Sequence, residues 1–142
     1  MSDCIFCKIV AGEIPASKIY EDDHVLAFLD ITQVTKGHTL VIPKKHYRNV
    51  LDMDAEAAGQ VFSVVPTLAR QLKKKLGANG LNIVNNNEEA AGQTVFHTHI
   101  HLIPRFDKND GLDIQFTTNE PDFPALANLA QDLYLGELDE TS

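Results

Sequence analysis

Between Gly92 and Arg105 the sequence reads Gly-Gln-Thr-Val-Phe-His-Thr-His-Ile-His-Leu-Ile-Pro-Arg, with histidine at every second position from His97 to His101. In an extended strand successive side chains point to opposite faces. His97, His99 and His101 then line one face about 6.5 Å apart, while Thr98, Ile100 and Leu102 line the other. A chain carrying this run has to lay one face of a strand on a core and turn the other toward a site that accommodates imidazoles. Three of the six histidines of the chain fall here. Imidazole is a poor β-former and costly to desolvate, so an exposed strand face with chance histidines is the weaker explanation.

The rest of the chain has the bulk to support such a strand. At 142 residues it is long enough for one domain, expected over 1–142, to bury most of its apolar surface without disulfides. Its 44% hydrophobic and 23% charged residues are ordinary for a globular protein. A net charge of −8 argues against a nucleic-acid polymer as partner, because phosphate backbones are bound by basic stripes. A small phosphorylated ligand needs only a local site and stays open. No apolar run approaches a membrane span, and Met1-Ser2-Asp3-Cys4 does not read as a cleavable leader, so no membrane partner and a cytoplasmic location are expected. In that setting the Cys4-x-x-Cys7 pair points to metal or redox chemistry rather than a structural disulfide.

Taken in order, the chain opens with a short, partly helical segment closed by Gly12-Glu13-Ile14-Pro15. Residues 18–21 and 24–30 read as two strands of a hairpin around Asp22-Asp23, and 37–43 as a third strand ended by Pro43. Val61, Val65, Leu68, Leu72 and Leu76 recur at helical spacing between Asp52 and Gly77. This predicts one long helix capped by Asp52 or Asp54, stopped at Gly77 and bent at Pro66. Lys73, Lys74 and Lys75 in its last turn are explained by the helix dipole better than as a phosphate patch. Residues 81–84 form a strand before the turn-rich 85–89 loop. Leu126, Leu129, Ala130 and Leu133 predict a short C-terminal helix. Strands joined mostly by short turns predict an α+β fold, a mainly antiparallel sheet with the long helix packed on one face.

Two constellations carry chemistry. A histidine with one ring nitrogen tied down and the other free can attack phosphorus, and the central member of the triad, His99, suits that role best. A protonated neighbour such as His101 can stabilise charge on phosphoryl oxygens, while Gly92 and Thr94 offer a close backbone approach and a hydroxyl donor. The second constellation, Cys4, Cys7, His46 and His97, is a donor set suited to a closed tetrahedral zinc site. Two buried free cysteines remain an alternative. So does a metal held by the triad itself, although that leaves the cysteine pair without a purpose.

At these residues the chain resembles the histidine triad family. His97-Thr98-His99-Ile100-His101-Leu102-Ile103 matches its His-φ-His-φ-His-φ-φ signature, with Thr98 in a usually apolar place. Phe28-Leu29-Asp30-Ile31, Gly37 to His46 and Ala91-Gly92-Gln93-Thr94 also read like family segments, so the likeness runs from Cys4 to Arg105. It implies a five-stranded antiparallel sheet extended across a homodimer. It also implies hydrolysis or transfer at the α-phosphate of purine nucleotides, of the nucleoside phosphoramidate type, through a nucleotidyl-histidine.

By the same resemblance His99 is the nucleophile, His101 contacts the phosphate and His38 supports the imidazole array. Asp30 accepts the ribose hydroxyls and Ile31 packs near the base. Asn86, Gly92, Gln93 and Thr94 hold the phosphate or leaving group. Cys4, Cys7, His46 and His97 bind a structural zinc. Glu88 is a departure, standing where relatives often have glycine. Dinucleoside polyphosphate hydrolysis and a nucleotide-binding regulatory role are the alternatives to a phosphoramidase.

Overall fold

The computed structural model describes residues 3–139, which fall into two units, one running to Leu112 and the other starting at Asp113. The first unit is built on the apolar runs that read as strands. They form β1 (Lys18–Glu21), β2 (Val25–Leu29), β3 (Thr39–Pro43), β4 (Gly80–Val84) and β5 (Ile100–Arg105), in the order β1-β2-β3-β5-β4 with every neighbouring pair antiparallel. The hairpin turn between β1 and β2 is closed by Asp22, whose Oδ1 accepts the N–H groups of His24 and Val25, each at 2.8 Å.

β2 and β3 are continuous apolar runs, as expected of strands covered on both faces. Period-two alternation divides them between two cores. Val25, Ala27, Val41, Ile100 and Leu102 face one side and pack with Val61, Val65 and Leu68. Leu26, Phe28, Leu40 and Ile42 face the other and pack with Phe6 and Ile9 of α1 (Ile5–Val10). Shortening a fully buried side chain such as Leu26 or Ile42 to alanine costs about 2–5 kcal/mol. Leu40 pairs with His101, so the histidine side of β5 lies on the α1 side of the sheet.

The helix expected over 52–77 comes as two pieces, α2 (Ala55–Phe62) and α3 (Val65–Leu76). Asp54 is the cap of α2, its carboxylate accepting the Ala57 N–H at 2.8 Å, while Asp52 ends a preceding short 3-10 turn. Pro66 is not a bend inside one helix. It stands in the first turn of α3, where a missing N–H removes no helical hydrogen bond and the fixed φ favours a start. At the other end Gly77 takes φ 67, the left-handed cap that the sequence predicts, with all three lysines in the last turn.

The second unit contains extended chain and α4 (Phe123–Leu133), which is capped by Asp122 and has no buried residue. It supplies the expected C-terminal helix. No helix among the described residues is long and apolar enough to cross a membrane.

Candidate active site and metal centre

The β5 ladder begins at Ile100, so His97 and His99 precede it in irregular backbone, with His97 in a bend. The imidazoles nevertheless share one side. The Phe6 ring meets His97 and His99 edge-on at centroid distances of 5.8 and 5.2 Å, and His101 lies 5.1 Å beyond His99. Thr98 between them is buried without joining an apolar cluster. Its N–H and hydroxyl both donate to the Tyr47 carbonyl, at 2.8 and 3.2 Å, which explains how a hydroxyl is accommodated in a usually apolar place.

His97 and His99 each have one ring nitrogen held by a backbone carbonyl, which determines the tautomer, and His101 is ordered through His38. The Pro43 carbonyl accepts from Nε2 of His97 at 2.8 Å, leaving Nδ1 with its lone pair. The His97 carbonyl accepts from Nδ1 of His99 at 2.7 Å, leaving Nε2 of His99 with a lone pair able to attack an electrophile. For His101 the order passes through His38. The Val34 N–H donates to His38 Nδ1 at 3.2 Å, so His38 carries its proton on Nε2 and donates to His101 Nδ1 at 2.9 Å. His101 is therefore neutral rather than protonated as expected from the sequence, and its own proton sits on Nε2, a donor for a phosphoryl oxygen. Burial, with the nearby imidazoles of His99 and His38, pushes His101 down to about 4, and burial also lowers His38.

His99 and His101 line a cavity of about 510 Å³ that also receives Asp30, Ile31, Asn86, Gly92 and Thr94. Its apolar wall comes from Ile5, Phe6 and Ile9 of α1 together with Phe28 and Leu40. Asp30 Oδ1 is held by the N–H and hydroxyl of Thr32, at 2.8 and 2.7 Å, and Oδ2 lies 3.7 Å from His38 Nε2. Burial pushes the Asp30 carboxyl up, but the Thr32 hydrogen bonds and the facing imidazoles prevail and hold it below the usual carboxylate range. Ile31 is 98% exposed at the rim rather than packed into the wall.

Of the three asparagines in the 85–87 run, Asn86 lines the cavity. Asn85 donates to the His99 carbonyl at 3.0 Å, and Asn87 bridges Asn85 and the Val50 N–H. Gln93 departs from its expected place at a phosphate. It is 2% exposed, and its amide is spent inside the protein, accepting from Asn49 Nδ2 and Glu88 N–H and donating to the Arg48 and Val95 carbonyls. It shapes the Gly92–Thr94 loop from behind. Gly92 itself takes φ 97, which is the reason for glycine there.

The sulfur and nitrogen donors converge beside this cavity. Cys4 Sγ lies 3.3 Å from His97 Nδ1, Cys7 Sγ lies 3.3 Å from His46 Nδ1 and 3.5 Å from His97 Nδ1, and the two Nδ1 atoms are 3.2 Å apart. All four donor atoms fall within 4.8 Å of one another. Ligand-to-ligand edges of roughly 3.3–3.8 Å follow from tetrahedral zinc with its usual bonds to sulfur and nitrogen, so the set fits. Burial, and then the hydrogen bond and charge of Cys4, push the Cys7 thiol up to about 11. A bound cation would supply the positive charge that two neighbouring thiolates need. His97 Nε2–H on the Pro43 carbonyl is the outer contact that orients a ligating imidazole.

Compared with known proteins, residues 11–108 match the HIT domain. The chain belongs to the HIT domain family. A crystal structure of a Streptococcus mutans UA159 protein superposes on this HIT protein with a TM-score of 0.90 at 62% identity, covering 94% of this chain and 84% of that one. The Bacillus subtilis protein named Protein hit is 56% identical over 85% of this chain and 83% of its own length. An Arabidopsis thaliana adenylylsulfatase is 43% identical over 76% of this chain and 55% of its own length. The crystal structure of a Zn-bound histidine triad family protein from Mycobacterium smegmatis matches with a TM-score of 0.73 at 40% identity, covering 92% of this chain and 98% of that one.

Several site residues of this HIT protein went unread in the sequence. Phe6 and Ile9 are three apart on α1, a helical spacing that marks one face, but six residues give too short a pattern to say that the face covers the histidines. Asn49, buried and bonded to Glu88 and Gln93, carries no signal at all.

Proposed function

We propose that this HIT protein is a hydrolase or transferase acting at the α-phosphate of purine nucleotides, of the nucleoside phosphoramidate type, through a nucleotidyl-histidine. One observation carries the reading: His99, with Nδ1 committed to a carbonyl and Nε2 free, lines the same cavity as the Asp30 carboxylate and Thr94 hydroxyl. The apolar α1 wall suits the flat base, Asp30 is a two-oxygen acceptor matched to the ribose diol, and Asn86, Gly92 and Thr94 supply donors on the phosphate side. The adenylylsulfatase relative supports chemistry at an adenylyl phosphorus.

In this reading His99 Nε2 attacks the α-phosphorus, the bond from phosphorus to the leaving nitrogen breaks, and the amine takes up a proton from water. His101 Nε2–H donates to a phosphoryl oxygen as charge develops there. Water then attacks phosphorus and expels His99 Nε2, giving the nucleoside monophosphate. The proton that this water gives up balances the one the amine took.

Zinc bound by Cys4, Cys7, His46 and His97 would serve as a structural cross-link, since four protein donors leave no open coordination position. The fit of the donor set and the Zn-bound relative support it. A homodimer is part of the proposal, supported by β4 at the sheet edge with Ile83 54% exposed. So is a reducing, cytoplasmic setting.

The test is side-by-side turnover of an adenosine phosphoramidate and a diadenosine polyphosphate by the full chain. The phosphoramidate is expected to be the better substrate by kcat/KM. The opposite order would make the protein a dinucleoside polyphosphate hydrolase, and binding without turnover of either would make it a regulatory module.

A further inference from the structure

We propose that Glu88 is a positioning residue for nucleotide phosphate, clamping the 85–94 loop to the Arg48-Asn49 segment so that Asn86, Gly92 and Thr94 meet the phosphate in a set geometry. The proposal rests on the reading above that this cavity takes a nucleotide.

Glu88 has φ 77 and ψ 158 and is the single positive-φ residue other than glycine among the described residues. That region of backbone space is nearly reserved for glycine, so a side chain there is strained and persists only where its surroundings hold it. The holding groups are all present. Arg48 forks onto the carboxylate with Nε at 2.9 Å and Nη2 at 2.8 Å, and Asn49 Nδ2 adds a third bond at 2.7 Å. The Glu88 N–H donates to Gln93 Oε1 at 2.8 Å, and its carbonyl accepts from Ala91 and Gln93 at 3.0 and 3.2 Å. Arg48 is steadied in turn by the Phe96 ring, 4.3 Å below its guanidinium carbon.

Stability alone does not account for this arrangement. The Arg48 and Glu88 side chains are both about half exposed, where solvent screening limits even a two-pronged ion pair. Backbone strain at Glu88 works against that contribution. Glycine at 88 would keep the backbone bonds and release the strain, but it would lose the carboxylate that ties the loop to Arg48 and Asn49. What the clamp alone adds is a defined loop position. Asn86 packs on Gly92 across that loop, its Nδ2 3.6 Å from where a Cβ on Gly92 would stand, and both line the cavity.

The experiment is titration of the wild-type full chain, Glu88→Gly, Glu88→Gln and Arg48→Ala with AMP and with adenosine, beside melting curves. Adenosine reports the base and ribose contacts, and the added affinity of AMP reports the phosphate side. Glu88→Gly is expected to melt near the wild type, weaken AMP at least about fivefold and leave adenosine unchanged. Arg48→Ala should match it, Glu88→Gly combined with Arg48→Ala should add little further, and Glu88→Gln should fall between. Equal weakening of AMP and adenosine, or no weakening of either in folded Glu88→Gly, would overturn the proposal. A wild-type chain that binds neither compound would overturn the nucleotide reading itself, and this proposal with it.

Discussion

His38 Nε2 stands 2.9 Å from His101 Nδ1, and the Val34 N–H on the other nitrogen of His38 gives that contact a direction, with His38 donating and His101 accepting. The pair therefore works while both rings are neutral, and a proton on His101 Nδ1 would set two N–H groups against each other. Burial and the adjacent imidazoles, which push His101 down to about 4 from its ordinary 6.5, express the same preference.

That preference predicts an acid limb in stability. Between pH 6.5 and 4 the unfolded chain binds a proton at residue 101 that the folded chain does not, so stability rises with pH across this window. The contribution is complete above about 6.5 and is lost as pH falls toward 4. Urea unfolding of wild type and His101→Asn at pH 7, 6, 5 and 4 checks it. The wild-type loss should be the steeper, and parallel curves would remove His101 from the account.

Zinc at Cys4, Cys7, His46 and His97 would join the α1 segment to the bend before the catalytic strand without touching substrate. Ligand at a hundredfold excess over its Kd stabilises the folded state by about 2.7 kcal/mol, roughly 5–10 °C for a chain of this size. Chelation, or Cys4→Ser with Cys7→Ser, should lower Tm by that order and keep most turnover at temperatures where the protein stays folded. A folded double-serine variant with no turnover would contradict a purely structural metal.

The edge position of β4 predicts that Ile83→Lys converts a dimer to a monomer, because a charge on a pairing edge opposes strand addition. Light scattering on both proteins measures it. A monomeric wild type, or a dimer unaffected by the lysine, would move the interface elsewhere.

What was legible in the sequence follows the range of each signal. Apolar runs bounded by turn residues placed β1, β2 and β3, and alternation placed β4 and β5, while the pairing of Leu26, Leu40 and His101 on one side holds only in this register. Spacing alone could not separate Pro66 inside a helix from Pro66 at the start of one, and the register of α2 and α3 runs on closely enough to disguise the break. The Cys4, Cys7, His46 and His97 donors that converge in the fold were legible from residue types. The direction of Gln93 was not, since a side chain in a turn is aimed by local dihedrals that spacing does not report. Glu88 was visible as an unusual residue, but its positive φ and its clamp on Arg48 appear only in three dimensions.

The central claim is that His99 forms a covalent bond to the nucleotide, and the most direct measurement is mass spectrometry after rapid quenching in alkaline denaturant, which preserves a phosphorus–imidazole bond, during turnover of an adenosine phosphoramidate. The account predicts one adenylyl group on the peptide containing His99, absent in His99→Ala, whose turnover should fall at least about a thousandfold while AMP still binds. An adenylyl group on any other residue, or near-normal turnover by His99→Ala, would contradict it.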